Sequence, residues 1–146
     1  MITEDLSGDH VTVGVTIEST ALTPEQISQR LGIAWDGAKW IGDPRGRTGG
    51  KQWDRNVWQI FEKKQGTVNT SAHDVLPVCV ADVLQRLQPI SHKLREISAA
   101  EGAEFFIHVT SQSAPGISLS RETIQVLADA ELSLDVDIVL YSVEEN

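Results

Sequence analysis

Seven apolar residues, Leu76, Val80, Val83, Leu87, Ile90, Leu94 and Ile97, recur at spacings of 4, 3, 4, 3, 4 and 3. That is an unbroken stripe along one face of a helix running from about His73 to Ala100, and a strand cannot present it. Pro89 lies within the stripe without upsetting its phase. Proline removes a backbone hydrogen bond and crowds the carbonyl four residues back, so a kink near Gln85, or two abutting helices, is expected. The stripe is short for a coiled coil, and packing against a sheet in the same domain is its expected use.

The segments around it supply that sheet. Val11 to Ile17 alternates apolar with small or polar residues, the pattern of a half-buried strand, after an N-terminus that reads as loose through Asp9. Thr23-Pro24-Glu25-Gln26 starts a short helix that buries Ile27 and Leu31 and stops at Gly32. Residues 35–56 read as irregular, and the glycine- and proline-rich stretch within 42–56 as a mobile loop. Val57 to Glu62 and Phe105 to Thr110 read as strands, as does the short run Ile117 to Ser120. Ser120 caps a further helix, and Leu134, Val136, Ile138 and Leu140 alternate with Asp135 and Asp137 in a closing strand. The fold class expected is α+β in a single domain, 1–146: a mostly antiparallel sheet, helices packed on one face, one of them long and kinked or in two pieces. A variant of the split βαβ theme suits the element order.

Charge and aromatic residues are unevenly spread. All four tryptophans, Trp35, Trp40, Trp53 and Trp58, lie within one window, and seven basic residues fall between Lys39 and Lys64 against three acidic ones. The last 46 residues hold nine carboxylates and a single arginine. A net charge of −9 disfavours phosphate-backbone binding, so no nucleic-acid partner is expected; it suits a basic protein partner instead. The N-terminal residues lack the basic and apolar regions of a signal peptide and no apolar run could span a bilayer, so a cytoplasmic protein without a membrane partner is expected.

Catalytic and metal-binding signatures are missing from the sequence. His10, His73, His92 and His108 are spread over separate segments, and no pair has zinc-ligand spacing. Cys79 sits in an apolar run and reads as a small buried hydrophobe. The glycine-rich loop matches neither phosphate-binding pattern, although Arg45, Arg47 and Lys51 could hold an anion. Asp135 and Asp137 share a strand face and read as a solvated or partner-binding surface rather than an acid–base pair. No enzyme activity, cofactor or metal is expected. Trp40 and Trp58 read as mostly core, and Trp35 or Trp53 as a candidate exposed anchor.

Leu22-Thr23-Pro24-Glu25-Gln26-Ile27 leading to Leu31-Gly32-Ile33, then Trp40-Ile41-Gly42-Asp43 before the glycine-rich loop and Trp53, form the first half of a recognisable series. The leucine-striped helix follows, then Gly116 to Ser120 and Leu134-Asp135-Val136-Asp137 up to Tyr141. In this order the chain resembles the bacterial family called domain of unknown function 4279, from about Val11 to Tyr141. Trp35-Asp36 stands where a proline-containing turn is expected. Some family members are similar to immunity proteins encoded beside secreted toxins, including contact-dependent growth inhibition systems. The resemblance implies a cytoplasmic protein that binds a cognate, basic toxin domain stoichiometrically. The candidate contacts are Glu131, Asp135, Asp137, Glu144 and Glu145, with Arg45, Arg47, Lys51 and Trp53 as a second set. The alternative is a small-molecule or peptide sensor that uses the Trp and Arg loop.

Overall fold

The computed structural model describes residues 6–46, 50–67 and 69–142. In chain order the elements are β1 (Leu6–Ser19), α1 (Pro24–Leu31), β2 (Gly37–Lys39), β3 (Pro44–Arg45), β4 (Lys51–Gln52), β5 (Asn56–Thr67), α2 (Ala72–Leu87), α3 (Ser91–Ala100), β6 (Gly102–Ser111), α4 (Arg121–Asp129) and β7 (Ser133–Leu140). Five strands form one sheet in the order β2-β5-β1-β6-β7. All pairings are antiparallel except β6 with β7, which are parallel. β1 and β2 run parallel with β5 inserted between them, so β1-α1-β2 is a split βαβ unit, while β6-α4-β7 is a βαβ unit with adjacent strands. Among the described residues no helix is long and apolar enough to cross a membrane.

One face of this sheet carries the core. Val11, Val13, Val15 and Ile17 of β1, Trp58 and Ile60 of β5, and Phe105, Ile107 and Val109 of β6 are buried in one cluster with the helices. The stripe read from the sequence supplies the other side: Leu76, Val80, Val83, Leu87, Ile90, Leu94 and Ile97 are all in that cluster. The long helix is two abutting pieces, α2 and α3, joined by a 3-10 turn at Gln88–Ile90 that holds Pro89. A 3-10 turn accommodates the missing donor without turning the stripe off the sheet.

Local chemistry sets the helix ends. In α1 the Thr23 hydroxyl accepts from the Gln26 amide at 3.2 Å while the Gln26 side chain accepts from the Thr23 amide at 2.9 Å. Gly32 then closes the helix at φ 76°, where a side chain would be strained. The Ser120 hydroxyl caps α4, accepting from the Thr123 amide at 3.1 Å.

Several sequence-based expectations are corrected. The backbone is strand from Leu6 onward, not loose through Asp9, because Asp9 is a buried anchor. Its carboxylate accepts hydrogen bonds from the Tyr141 hydroxyl (2.7 Å), the Ala72 amide (2.9 Å), the Gln112 amide (3.2 Å) and the Ser111 hydroxyl (3.4 Å). Residues 35–56 are not wholly irregular: β2 pairs with β5, and β3 with β4 makes a small hairpin within 42–56. Residues 117–120 are not a strand and have no ladder partner among the described residues. They wall one side of an apolar groove of about 350 Å³ against Leu76, Pro77, Val80 and Leu84 of α2. Trp40 is half-buried rather than core; its indole N–H donates to the Glu25 carboxylate at 3.0 Å. Trp58 is fully buried, and its indole N–H finds the Ser28 hydroxyl at 2.9 Å.

Candidate interaction surface

Strand periodicity leaves a second sheet face that no helix among the described residues covers. Alternate residues project there: Thr16 and Glu18 from β1, Gln59, Phe61 and Lys63 from β5, Glu104, Phe106 and His108 from β6, and Asp135 and Asp137 from β7. At its centre Gly14 lets the Phe106 ring approach β1 closely; a Cβ there would collide with the Ile60 carbonyl, the Phe106 ring and Phe61 Cβ. Phe106 is therefore buried although it lies outside the helix-side core.

Towards β7 this open face becomes acidic. The His108 ring stacks obliquely on Phe106 at 4.8 Å and its Nε2 lies 3.5 Å from the Asp135 carboxylate. Asp137 stands beside His108 in the ladder. Glu104 sits in a shallow depression of about 150 Å³ with Thr16, Glu18 and Ser133. Its carboxyl is raised above the ordinary value, first by burial and then by the negative charges of Asp135 and Glu18, with His108 pulling the other way. Glu18 is partly answered by Arg55 at 3.5 Å. Sequence reasoning picked out Asp135 and Asp137 here and missed Glu104 and His108. The signal was present: in Glu104-Phe105-Phe106-Ile107-His108-Val109 the polar positions fall on the Asp135 side once the β6–β7 register is known.

The other proposed contacts lie elsewhere. Glu131 occupies the turn between α4 and β7 at φ 55° and pairs with Arg95 of α3 at 3.3 Å, on the helix side of the sheet. Arg45 lies over the Trp53 ring at 4.6 Å, and Lys51 pairs with Arg45 across the hairpin. This hairpin links β2 to β5, at the edge farthest from β7. Four strand spacings of about 4.8 Å put roughly 19 Å between the two edges. The acidic and basic sets are therefore two separate surfaces. Arg47, Glu144 and Glu145 lie outside the described residues. Of the two candidate anchors, Trp53 is half-buried under Arg45, and Trp35 is half-buried against the core and edge-on to Trp40 at 5.6 Å.

Burial pushes the Cys79 thiol up, which disfavours the thiolate a nucleophile needs. Among the described residues no three His, Cys, Asp or Glu side chains are grouped to hold a metal ion.

β7 differs from every other long strand of the sheet. All eight of its residues are exposed, on both faces. It is an edge strand with Leu134, Val136, Ile138 and Leu140 on the helix side, each left partly exposed, and two carboxylates on the other side.

No curated protein and no solved structure matches the chain. A family model does match, over residues 9–141, the span from the Asp9 anchor to its partner Tyr141. With nearly the whole described sheet inside that match, the chain belongs to the family described as domain of unknown function, DUF4279.

Proposed function

We propose that this protein is a non-catalytic binding protein of the immunity type, which neutralises a basic toxin domain by stoichiometric contact at the β6–β7 side of the open sheet face. The observation that carries the reading is the grouping of Glu104, Asp135 and Asp137 on that face; burial raises the Glu104 carboxyl first, and the charges of Asp135 and Glu18 add to it. An ammonium or guanidinium group arriving there relieves the repulsion, which favours a basic partner over a neutral one. The −9 net charge adds long-range steering in the same sense. The toxin assignment itself comes from the family resemblance; the acidic face supplies its physical basis.

The test is a pull-down from the source bacterium with the full chain as bait, washed at rising salt. A basic protein retained in one-to-one amount and released as salt screens the contact is the expected result. A double variant, Asp135→Lys with Asp137→Lys, should lose that protein. Retention by the double variant would remove the acidic face from the reading.

The groove between α2 and residues 116–120 favours a second reading, a small apolar ligand, since its volume lies at the lower end of the range for ligand pockets. An Ala81→Trp variant that fills the groove should leave toxin capture unchanged if the first reading is right.

A further inference from the structure

Among the described residues β7 has no strand beyond it, so every second backbone N–H and C=O along its eight residues points to an unpaired edge. Natural edges of this length are usually blunted by charged side chains, proline or a bulge; β7 has no proline, runs in unbroken register with β6, and carries its only charges, Asp135 and Asp137, on one face. Its apolar side chains are unusually open: Leu134 48%, Val136 41%, Ile138 38%, Val139 52% and Leu140 56% exposed. At those values the five present roughly 400 Å² per protomer, about half of the ~800 Å² each partner buries in a standard interface. The backbone edge and the flanking side chains would add to that area.

We infer that β7 is a homodimer seam: two copies pair antiparallel through β7 about a two-fold axis at Ile138, joining two five-stranded sheets into one of ten. The register follows from the sequence of the strand. Directly opposed residues in an antiparallel pair share a face, so a two-fold centred on Ile138 sets Ile138 against the partner's Ile138 and Val136 against the partner's Leu140. On the other face the same register sets Asp137 against the partner's Val139, while Asp135 falls opposite the partner's chain beyond the end of β7. Centring the axis on Val136 sets Asp135 against the partner's Asp137, and centring it on Asp137 sets that residue against its own copy. The two aspartates therefore exclude these registers without forbidding pairing, since like charges directly opposite are destabilising.

This inference goes beyond the proposed function and needs no toxin. It also has the opposite salt dependence. The dimer is held by apolar contact and backbone hydrogen bonds against the mutual repulsion of two −9 chains, so screening strengthens it. The toxin complex is attractive in charge and weakens with salt.

The experiment is sedimentation velocity on the purified full chain, from low to high micromolar, at low and high salt. A reversible monomer–dimer equilibrium is expected, with a several-fold fall in Kd at high salt. Ile138→Lys places two ammonium groups at the axis and should give a monomer at all concentrations, with an unchanged far-ultraviolet spectrum. Val139→Lys places an ammonium opposite the partner's Asp137 and should tighten the dimer at low salt. A wild-type monomer at high micromolar in both salts overturns the inference, as does a dimer that survives Ile138→Lys. A dimer loosened by Val139→Lys overturns the register. Toxin capture is read separately in the pull-down, on the wild type and on Ile138→Lys, whose side chain lies on the face opposite Asp135 and Asp137; Val139→Lys shares their face and tests the register alone.

Discussion

Three single residues concentrate more energy than their size suggests. At Gly14 an added methyl group meets backbone as well as side chain, so Gly14→Ala should destabilise by about 3 kcal/mol or more, read by chemical denaturation. Asp9 is a buried carboxylate: burial pushes its pKa up, but hydrogen bonds from Ala72, Tyr141, Gln112 and Ser111 outweigh that and hold it below the ordinary value. An acid lowered on folding contributes stability that is present above its unfolded pKa and is lost as pH falls through the folded one. Asp9→Asn should therefore flatten the acid limb of the stability–pH curve, and it should cost about 1–3 kcal/mol near neutrality, since donors aimed at the carboxylate lose their acceptor. Glu104 has the opposite sign. Its pKa is raised on folding, so stability falls as pH rises from the ordinary value through the raised one, and a constant penalty remains above. Glu104→Gln should raise the melting temperature at pH 7, and the gain should vanish in acid. A gain equal at both pH values would contradict the electrostatic origin.

The individual elements show how far the sequence could be read. The striped helix, the α1 cap and the alternation of β1, β5 and β6 were legible because each is a local signal repeated several times. Replacing one residue of the stripe, Leu94→Ala, removes a fully buried side chain at the helix–sheet contact and should cost about 2–5 kcal/mol in a thermal or denaturant melt. The elements that were misread lack such repetition. β2 is three residues long, and it exists because Gly37, Ala38 and Lys39 find β5 alongside, which is information held by the partner strand. Ile117 to Ser120 has strand-like alternation but no neighbour to pair with, so the alternation serves the groove wall instead. The candidate site was half legible for the same reason. Asp135 and Asp137 announce themselves within one strand, whereas Glu104 and His108 join them only through the β6–β7 register, and Glu131 is removed from them by the turn at its own backbone. That turn predicts a separation: Glu131→Gly relieves a left-handed backbone and should stabilise by up to about 1 kcal/mol, without weakening capture of the proposed basic partner in the pull-down.

Taken as one body, the molecule sets a buried centre against an exposed rim. Amide exchange should rank accordingly, slowest in β1 between its two neighbours and fastest in β7. Slowing of the β7 amides on raising protein concentration would be the signature of the seam, read strand by strand. The sheet order has a further consequence, for the birth of the protein on the ribosome. β1 is the central strand, yet its two neighbours are β5 and β6, so Val13 pairs with Glu62 and with Ile107, far along the chain. A nascent chain thus exposes its central strand while about a hundred further residues are made, several seconds at ordinary synthesis rates. During that interval Val11, Val13, Val15 and Ile17 have one antiparallel neighbour at best, and the half-sheet they form with β5 is the species a holding chaperone would meet.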